Sequence, residues 1–418
     1  MDHFSYVGET LHAEDVPLPT IAAAVGSPFY VYASATLRRH FDVFAEGMGD
    51  ADVVVAFAVK ALSNIAVLRL LARKGAGADI VSGGELYRAL KAGIPAEKIV
   101  FSGVGKTATE MASALDAGIG QFNVEGEAEL HLLAKVAREK GTEAPIALRV
   151  NPDVDASTDT RISTGRATDK FGVNIERAKA LFATAQTLDG VRPRGVAMHI
   201  GSQITQLGPF EEAARRAAAL VMELRGQGVD IQTLDLGGGL GIPYAGETDL
   251  PQPRDYVAAL RRVSDPLGVK VIFEPGRMIA GNAGLFVTSV LFEKPQGPKT
   301  YLIVDGAMND LIRPALYGAR HQLVQVDRRQ GPAKTFDIAG PVCESTDVLL
   351  RDAELIEPVA GDLLAFRTAG AYGAVQAGQY NTRPLVPEVL VDGDKFAVIR
   401  RRPSYEEMLS LESIPDWL

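Results

Sequence analysis

Eight short apolar segments alternate with helical patterns along this chain, and the alternation constrains its fold more than any other feature. The predicted strands are Val53–Val59, Ala78–Val81, Ile99–Ser102, Ile119–Val124, Pro145–Val150, Gly195–Ile200, Ile231–Leu236 and Val269–Phe273. Predicted helices between them include Ile65–Lys74, Glu85–Ala92, Glu127–Lys140, Glu176–Thr187, Phe210–Arg225 and Tyr256–Val263. Glycines stand at or just past the helix ends, where a left-handed residue closes a helix at little cost. The pattern predicts an α/β fold, a (β/α)8 barrel of the TIM type.

The pattern of apolar residues along the sequence changes after Gly281. Helical periodicity fades, and short apolar runs such as Leu285–Leu291 are separated by turns, which predicts a β-rich C-terminal domain. An early aromatic strand, FYVY at Phe29–Tyr32, is a candidate member of that domain. We therefore expect a barrel over residues 34–280 and a discontinuous β-rich domain over 1–33 and 281–418.

Charge and composition disfavour several classes of function. The net charge is −9, the pI is near 5.3 and no basic cluster stands out, so binding to nucleic acid or to an anionic membrane is not expected. The N-terminal stretch lacks a basic segment followed by an apolar core, and no apolar run reaches about 18 residues, which favours a cytoplasmic protein. The only cysteine, Cys343, forbids an intrachain disulfide and a cysteine-based metal cluster, and no metal site is predicted.

The first predicted strand ends in a lysine, Lys60, within the run ADVVVAFAVK. Lysine is rarely buried without a partner, and the carboxyl ends of barrel strands are where barrel enzymes place their chemistry. The alternative is a lysine whose amine simply reaches solvent at a strand end. The groups at the other strand ends decide between these two interpretations.

Polar or glycine-rich groups follow six of the eight predicted strands. They are Lys60, Asp79 with Ser82–Gly84, Arg149 with Asn151, His199–Gln203, Gly237–Gly241 and Glu274–Arg277. A glycine run allows backbone N–H groups to surround an anion, and barrels often bind phosphate after strands seven and eight. A lysine amine, a phosphate cradle, a carboxylate and an imidazole at one barrel mouth describe a site for pyridoxal 5'-phosphate, in which the lysine forms a Schiff base.

Two of these groups also have simpler interpretations. Glu274 follows an apolar strand, so its carboxylate is expected in a partly dry site, where a structural salt bridge with Arg149 is an alternative. His199 is either a satisfied core histidine or a ring stacked on a flat cofactor. The combination with a lysine and a phosphate cradle favours the cofactor site in both cases.

The motifs resemble a known family, the alanine-racemase-like or fold type III pyridoxal phosphate enzymes, and within it the diaminopimelate decarboxylases. The resemblance runs from about Phe29 to about Pro384. Motifs similar to the decarboxylases in general are FAVKA around Lys60, DIVSGGEL at Asp79, LRVNPDV at Leu148, KFG at Lys170, HIGSQ at His199, GGGLGIPY at Gly237 and EPGR at Glu274. Motifs similar to the diaminopimelate branch are VDGAMNDLIRPALYGA at Val304, GPVCESTD at Gly340 and GAYG at Gly370.

The resemblance implies a role for each matching residue. Lys60 would be the Schiff-base lysine, His199 would stack on the cofactor ring and Glu274 would pair with the pyridine nitrogen. The other cofactor-binding residues, most of them around the phosphate, would be Asp79, Ser202, Gly238, Gly239, Gly276, Arg277 and Tyr372. Arg277, Arg313 and Tyr317 would bind the substrate's carboxylates, and Glu344 would bind its distal ammonium. Tyr372, close to the phosphate, would also contact the substrate.

The reaction implied by the resemblance is the decarboxylation of meso-2,6-diaminopimelate to L-lysine, the last step of lysine biosynthesis, in a homodimer with shared active sites. Cys343 of the neighbouring subunit would be the acid near the α-carbon of the substrate. Arginine suits the bidentate recognition of the substrate's carboxylates. Simpler interpretations make Arg313 a surface ion pair, Tyr372 a packed turn aromatic and Cys343 a small buried hydrophobe.

Three other functions share parts of this pattern. A decarboxylase of arginine, ornithine or carboxynorspermidine would share the cofactor motifs but would have no use for Arg313 with Glu344 beside Cys343. An alanine-type racemase would need a tyrosine acid, and isomer exchange without loss of carbon dioxide would identify it. A non-catalytic cofactor-binding regulator is disfavoured by the intact catalytic residues. The sequence also departs from many relatives before ISTG, in TDTRISTGRATDKFG, which leaves open whether Arg161 and its loop close over the substrate.

Overall fold

The computed structural model describes residues 2–49, 52–156, 164–165, 169–244 and 250–418. The chain divides into two compact units. One comprises Arg38–Ile242 and Thr248–Ile279, and the other comprises Met1–Leu37, Pro243–Glu247 and Ala280–Leu418. We call them the barrel unit and the β-rich unit.

Eight parallel strands close the barrel. In chain order they are Val53–Ala58, Gly77–Ile80, Ile99–Phe101, Gln121–Val124, Ala144–Asn151, Val191–Met198, Thr233–Asp235 and Lys270–Phe273. Neighbours in this order are hydrogen-bonded, and the last strand pairs with the first, with Ile272 opposite Val54. A short strand, Val173–Asn174, adds to the end of the fifth. The (β/α)8 barrel predicted from the sequence is confirmed, with strand boundaries that differ by a few residues.

Helices connect the barrel strands, and local side chains explain where several of them begin and end. Asn64 accepts a hydrogen bond from the backbone N–H of Ala66, and Thr107 forms a capping box with Glu110. Gly93 closes a helix with a left-handed φ of 82°. The helices are Ser34–Glu46, Ile65–Arg73, Gly83–Ala92, Ala108–Ala117, Glu127–Glu139, Ile175–Thr187, Gly208–Gly226, Pro253–Ser264 and the short Arg277–Ala280.

The β-rich unit contains a mixed sheet built around the long strand Gly284–Gln296. The order across this sheet is Val348–Ile356, Ala333–Ala339, Lys299–Val304, Gly284–Gln296, Phe29–Ala33, Glu388–Asp392 and Lys395–Arg400, with Leu363–Phe366 and Leu323–Gln325 paired to its side. The early aromatic strand Phe29–Ala33 lies antiparallel to the central strand and parallel to Glu388–Asp392. Smaller elements are the strands Phe4–Val7, Thr10–Ala13 and Val16–Pro17 and the helices Leu18–Val25, Arg313–Tyr317 and Tyr405–Leu409.

Each unit has an apolar core of its own. Val31, Leu285 and Val389 belong to one buried cluster in the β-rich unit, and Val54 and Ile272 belong to another in the barrel. Burying a side chain of this size contributes about 1.5–3 kcal/mol, so these strands are held by packing as well as by hydrogen bonds.

Among the described residues, no helix combines the length and the apolar character that a membrane span requires.

Candidate active site

Lys60 lies in a helical turn, Val59–Ala61, directly after the first barrel strand. Its Nζ donates to Oδ2 of Asp79 over 2.6 Å, and Asp79 is fully buried on the second strand. The other carboxylate oxygen of Asp79, Oδ1, is buried and has no hydrogen-bond partner among the described residues. A buried carboxylate therefore holds the amine in the barrel mouth, which disfavours the interpretation of Lys60 as a lysine that merely reaches solvent.

The glycine run after the seventh strand forms a cradle of backbone groups, packed so closely that two of its glycines could not carry a side chain. A Cβ on Gly238 would lie 2.2 Å from the carbonyl oxygen of Glu274, and a Cβ on Gly239 would lie 2.2 Å from that of Gly201. Gly239 also has a φ of 111°, which strains any residue with a side chain. The closeness of three strand ends thus requires glycine at these positions and leaves backbone groups facing the site.

His199 is held in a neutral state beside the cradle. The backbone N–H of Gly238 donates to Nδ1 of His199 over 3.2 Å, so Nδ1 is the acceptor and Nε2 carries the proton of the neutral ring. Burial lowers the pKa of His199 well below its usual range, and the charges of Arg149 and Lys60 act in the same direction. The ring is therefore uncharged at neutral pH.

The turn after the eighth strand contacts two other predicted site residues. The guanidinium of Arg277 donates to Oγ of Ser202, with Nη2 at 3.1 Å. A Cβ on Gly276 would lie 3.0 Å from the methyl groups of both Ala58 and Ala61, on either side of Lys60 in the chain. Gly276 is thus required for close packing of the eighth strand end against the lysine turn.

Two buried carboxyl groups lie together at the bottom of this mouth. Burial raises the pKa of Asp235 to about 6, against hydrogen bonds donated by Asn123 and Gly237. Burial also raises the pKa of Glu274 well above its usual range, and the neighbouring Asp235 and Asp79 add to this rise. The pair therefore retains a proton at neutral pH.

A line of polar side chains crosses the barrel interior to this pair. The Thr233 hydroxyl donates to Oε1 of Gln121 over 2.7 Å, and Nε2 of Gln121 donates to Oδ1 of Asn123 over 2.9 Å. Nδ2 of Asn123 then donates to Oδ2 of Asp235 over 2.9 Å and lies 3.4 Å from Oε1 of Glu274. Every donor points towards the carboxyl pair, an arrangement in which hydrogen bonds polarise one another. Sequence reasoning missed this polar column, although QFN and TLD do place polar residues at alternate positions of predicted strands.

Arg149 forms a different ion pair from the alternative considered in the sequence. Its Nη1 donates to Oε1 of Glu125 over 2.9 Å, and Glu125 also accepts from the backbone N–H groups of Gly103 and Gly172. Glu125 directly follows the neighbouring strand Gln121–Val124, so the arginine pairs with its neighbour and not with Glu274 across the mouth. Arg161, whose role the sequence left open, lies outside the described residues.

The remaining predicted site residues belong to the β-rich unit. Arg313 is buried and Cys343 is exposed, which contradicts the simpler interpretations of a surface ion pair and of a buried hydrophobe. Glu344 is exposed as well, and its Oε1 accepts a hydrogen bond from the Tyr380 hydroxyl over 2.8 Å. Asp347 anchors this loop, because it accepts from the backbone N–H groups of Met308 and Val342.

Tyr317 and Tyr372 occupy two short turns of the same unit, and both side chains are half-buried. Tyr317 ends the helix that Arg313 begins. Tyr372 has a left-handed φ of 55°, and a Cβ on either flanking glycine of its GAYG motif would meet backbone oxygen, at 2.1 Å for Gly370 and 2.6 Å for Gly373. Close packing thus fixes the turn that carries Tyr372.

The barrel mouth fits pyridoxal phosphate on its own geometry. It offers a primary amine beside a buried carboxylate, a cradle of backbone groups, a neutral imidazole and a protonated carboxyl pair. The backbone groups of the cradle would bind the phosphate of the cofactor, and the lysine amine would react with its aldehyde carbon. The protonated carboxyl pair would lie at its ring nitrogen.

The fold and this site define a pyridoxal-dependent decarboxylase. Residues 34–281 match the family of the pyridoxal binding domain of pyridoxal-dependent decarboxylases. The chain is 49% identical over 416 residues to the diaminopimelate decarboxylase of Vibrio cholerae, and the match covers 99% of both chains. The crystal structure of Helicobacter pylori diaminopimelate decarboxylase complexed with L-lysine has a TM-score of 0.91 at 39% identity, covering 94% of this chain and 99% of that one. The M. jannaschii enzyme in complex with L-lysine has a TM-score of 0.95 at 35% identity, covering 100% and 99%. The chain belongs to the diaminopimelate decarboxylase family.

Proposed function

We propose that this chain catalyses the pyridoxal phosphate-dependent decarboxylation of meso-2,6-diaminopimelate to L-lysine and carbon dioxide, the last step of lysine biosynthesis. The observation that carries the proposal is the contact of 2.6 Å between Nζ of Lys60 and the buried Asp79, at a barrel mouth that also holds Glu274 and the glycine cradle. The full-length similarity to diaminopimelate decarboxylases, two of them crystallised with L-lysine, supports the choice of substrate.

In this proposal, four residues of the barrel prepare the site for the cofactor. When bound, pyridoxal phosphate accepts the electron pair that is left when the substrate loses a carboxylate. Lys60 holds the cofactor through Nζ, and Asp79 orients that amine. Glu274 keeps a proton available at the ring nitrogen, because its raised pKa leaves the carboxyl protonated. His199 presents a flat, uncharged face to the ring.

The substrate is proposed to be bound by charge complementarity. Arg277 and Arg313 bind its carboxylates with help from Tyr317 and Tyr372, since a planar guanidinium matches a carboxylate in a bidentate manner. Glu344 binds the distal ammonium group. The thiol of Cys343 delivers a proton to the α-carbon from which the carboxylate has departed.

We further propose a homodimer, located in the cytoplasm, in which the β-rich unit carries substrate-binding and interface residues. The exposure of Cys343 and Glu344 supports this arrangement, because residues with such roles must be covered when the reaction occurs. A loop that projects from one subunit into the active site of the other satisfies that requirement, and a two-fold interface supplies two such sites.

The function is tested by incubating purified protein with pyridoxal phosphate and meso-diaminopimelate, followed by assays for carbon dioxide and L-lysine. Ornithine and arginine serve as parallel substrates, and Lys60→Ala serves as the inactive control. Lysine formed from diaminopimelate, with no product from the other two, is the expected result. Product from ornithine or arginine alone would instead identify one of the related decarboxylases.

Shared active sites are tested by mixing two inactive variants, Lys60→Ala and Cys343→Ala. If each site takes Lys60 from one subunit and Cys343 from the other, half of the randomly mixed dimers regain one intact site. The mixture should then recover about a quarter of wild-type activity. No recovery after verified subunit exchange would reject sharing.

A further inference from the structure

Arg313 begins the helix Arg313–Tyr317 and is only 6% exposed. Its guanidinium carbon lies 4.4 Å from the centre of the Tyr244 ring, so a cation–π contact covers one face of the group. Its Nη1 lies 3.0 Å from Nε2 of His321. The guanidinium of Arg313 is thus constrained both across its plane and along one edge.

Hydrogen bonding defines the protonation state of His321. Nδ1 of its ring lies 3.0 Å from the backbone oxygen of Arg367. A carbonyl oxygen only accepts, so Nδ1 carries a proton; an arginine only donates, so Nε2 must offer its lone pair. The ring is therefore neutral, with the proton on Nδ1. His321 is 1% exposed, and its ring meets that of Tyr244 edge-on at 5.3 Å, which leaves it a single orientation.

These contacts matter for recognition because bidentate binding requires a defined guanidinium plane. An arginine side chain carries about 2 kcal/mol of rotamer entropy, which binding must remove if the group is mobile beforehand. An acceptor at Nη1 and an aromatic ring on one face remove that freedom in advance. A neutral imidazole does this without neutralising the positive charge of the guanidinium, as a carboxylate at the same place would.

We propose that His321 and Tyr244 are positioning residues that aim Arg313 at a carboxylate of the substrate, and that they thereby select for amino acids that carry a second carboxylate. The inference rests on the proposed function, since it takes Arg313 as a substrate-binding residue. Neither His321 nor Tyr244 was singled out in the sequence, because the first lies two residues beyond the RPALYGA stretch and the second ends the GGGLGIPY run.

The test compares His321→Leu with His321→Gln in the cofactor-loaded enzyme. Leucine fills the space without an acceptor, whereas the amide oxygen of glutamine offers one near the place of Nε2. We expect His321→Leu to raise KM for diaminopimelate about tenfold or more while kcat stays within about threefold, and His321→Gln to restore most of the loss, since tenfold corresponds to about 1.4 kcal/mol. A merely structural role would lower kcat, cofactor binding and thermal stability together and would not be rescued by glutamine.

Variants of Tyr244 provide an independent test if His321→Leu does not fold. Tyr244→Phe keeps the aromatic face and should leave KM unchanged, whereas Tyr244→Leu should raise it several-fold. Unchanged KM in both His321→Leu and Tyr244→Leu would overturn the proposal, as would equal impairment of His321→Leu and His321→Gln. Absence of activity in the wild type would count against the proposed function instead, and Arg313→Lys measures the dependence on the arginine itself.

Discussion

Nδ2 of Asn123 donates a hydrogen bond to Oδ2 of Asp235 over 2.9 Å in the interior of the barrel. The same amide group lies 3.4 Å from Oε1 of Glu274, so one side chain contacts both members of the carboxyl pair. Barrel interiors are usually filled with branched apolar side chains, and a buried polar group there is costly unless its partners are present. Asn123 therefore serves both carboxyl groups, beside the backbone N–H of Gly237, which donates to Asp235, and the Ser102 hydroxyl, which donates to Glu274.

Asn123→Ala should lower the free energy of unfolding by about 1–3 kcal/mol, because it removes one hydrogen-bond donor from each of two buried carboxyl groups. Chemical denaturation of the cofactor-free protein measures the change. Gln227→Ala, at an exposed helix end, is the control and should stay within about 0.5 kcal/mol of wild type. A stability of Asn123→Ala equal to that control would show that the carboxyl pair needs no donor at this position.

Glu274→Gln should lower kcat by about 100-fold or more, because the amide is not an acid that can maintain a proton at the ring nitrogen. Cofactor binding should weaken far less, since the amine and the cradle are intact. Steady-state turnover and equilibrium titration with pyridoxal phosphate separate the two effects. Turnover close to wild type would remove Glu274 from the proposed mechanism.

Gly239→Ala should reduce the affinity for pyridoxal phosphate by about 100-fold, because the added methyl group would lie 2.2 Å from the carbonyl of Gly201 at a φ of 111°. Gly226→Ala is the matched control, since its Cβ would meet no atom within 4 Å at the end of a helix. That variant should bind the cofactor normally and be as stable as wild type or slightly more stable. Similar cofactor affinities for the two variants would argue against the cradle.

Glu85 should make the cofactor-free protein less stable as the pH rises. Burial raises the pKa of Glu85 to about 7 in the folded chain from 4.5, so between these values the folded state binds a proton that the unfolded state has lost. The linkage relation then gives a loss of about 2–3 kcal/mol between pH 4.5 and pH 7 from this group. Glu85→Gln should lack that part of the slope in denaturation at several pH values. Identical slopes for the two proteins would contradict the assignment.

Cys343→Ala should reduce kcat by about 100-fold while the affinity for pyridoxal phosphate stays within about twofold. Because the chain has no other cysteine, a thiol-alkylating reagent provides a second measurement on unmutated protein. Alkylation should inactivate the enzyme, and substrate should protect it. Full turnover by the variant would reject the thiol as the proton donor.

The barrel could be predicted from the sequence because its signals are local. Runs such as VVVAFA and IVF are short, apolar and followed by capped helices, so strand and helix positions follow from neighbouring residues. The strand ends could be located for the same reason, and Lys60, Asp79, His199 and Glu274 were identified with them. The pairing of Phe29–Ala33 beside Glu388–Asp392 depends on residues far apart in the chain, and its partner strand was not predicted.

Other site residues could not be predicted, because a polar residue in a strand normally indicates a solvent-facing side. Gln121 and Asn123 follow that pattern, but both faces of a barrel strand are buried and these two side chains point inward. The salt bridge between Arg149 and Glu274, which the sequence offered only as an alternative, is also not the ion pair observed. The sequence gives no distance across the barrel mouth, so Glu125 on the adjacent strand was not considered.

The polar column from Thr233 to Glu274 sets a condition on any attempt to transplant this site. Its members come from strands that are distant in the chain, with Gln121 and Asn123 on the fourth, Thr233 and Asp235 on the seventh, and Glu274 after the eighth. Grafting the lysine, the glycines and the acid onto another barrel would place them above an apolar interior that offers the acid no donor. A designer would have to replace interior residues of the host barrel as well as those at the strand ends. The polar side chains introduced there would displace apolar ones, so the host barrel would lose part of its apolar packing, as this barrel has.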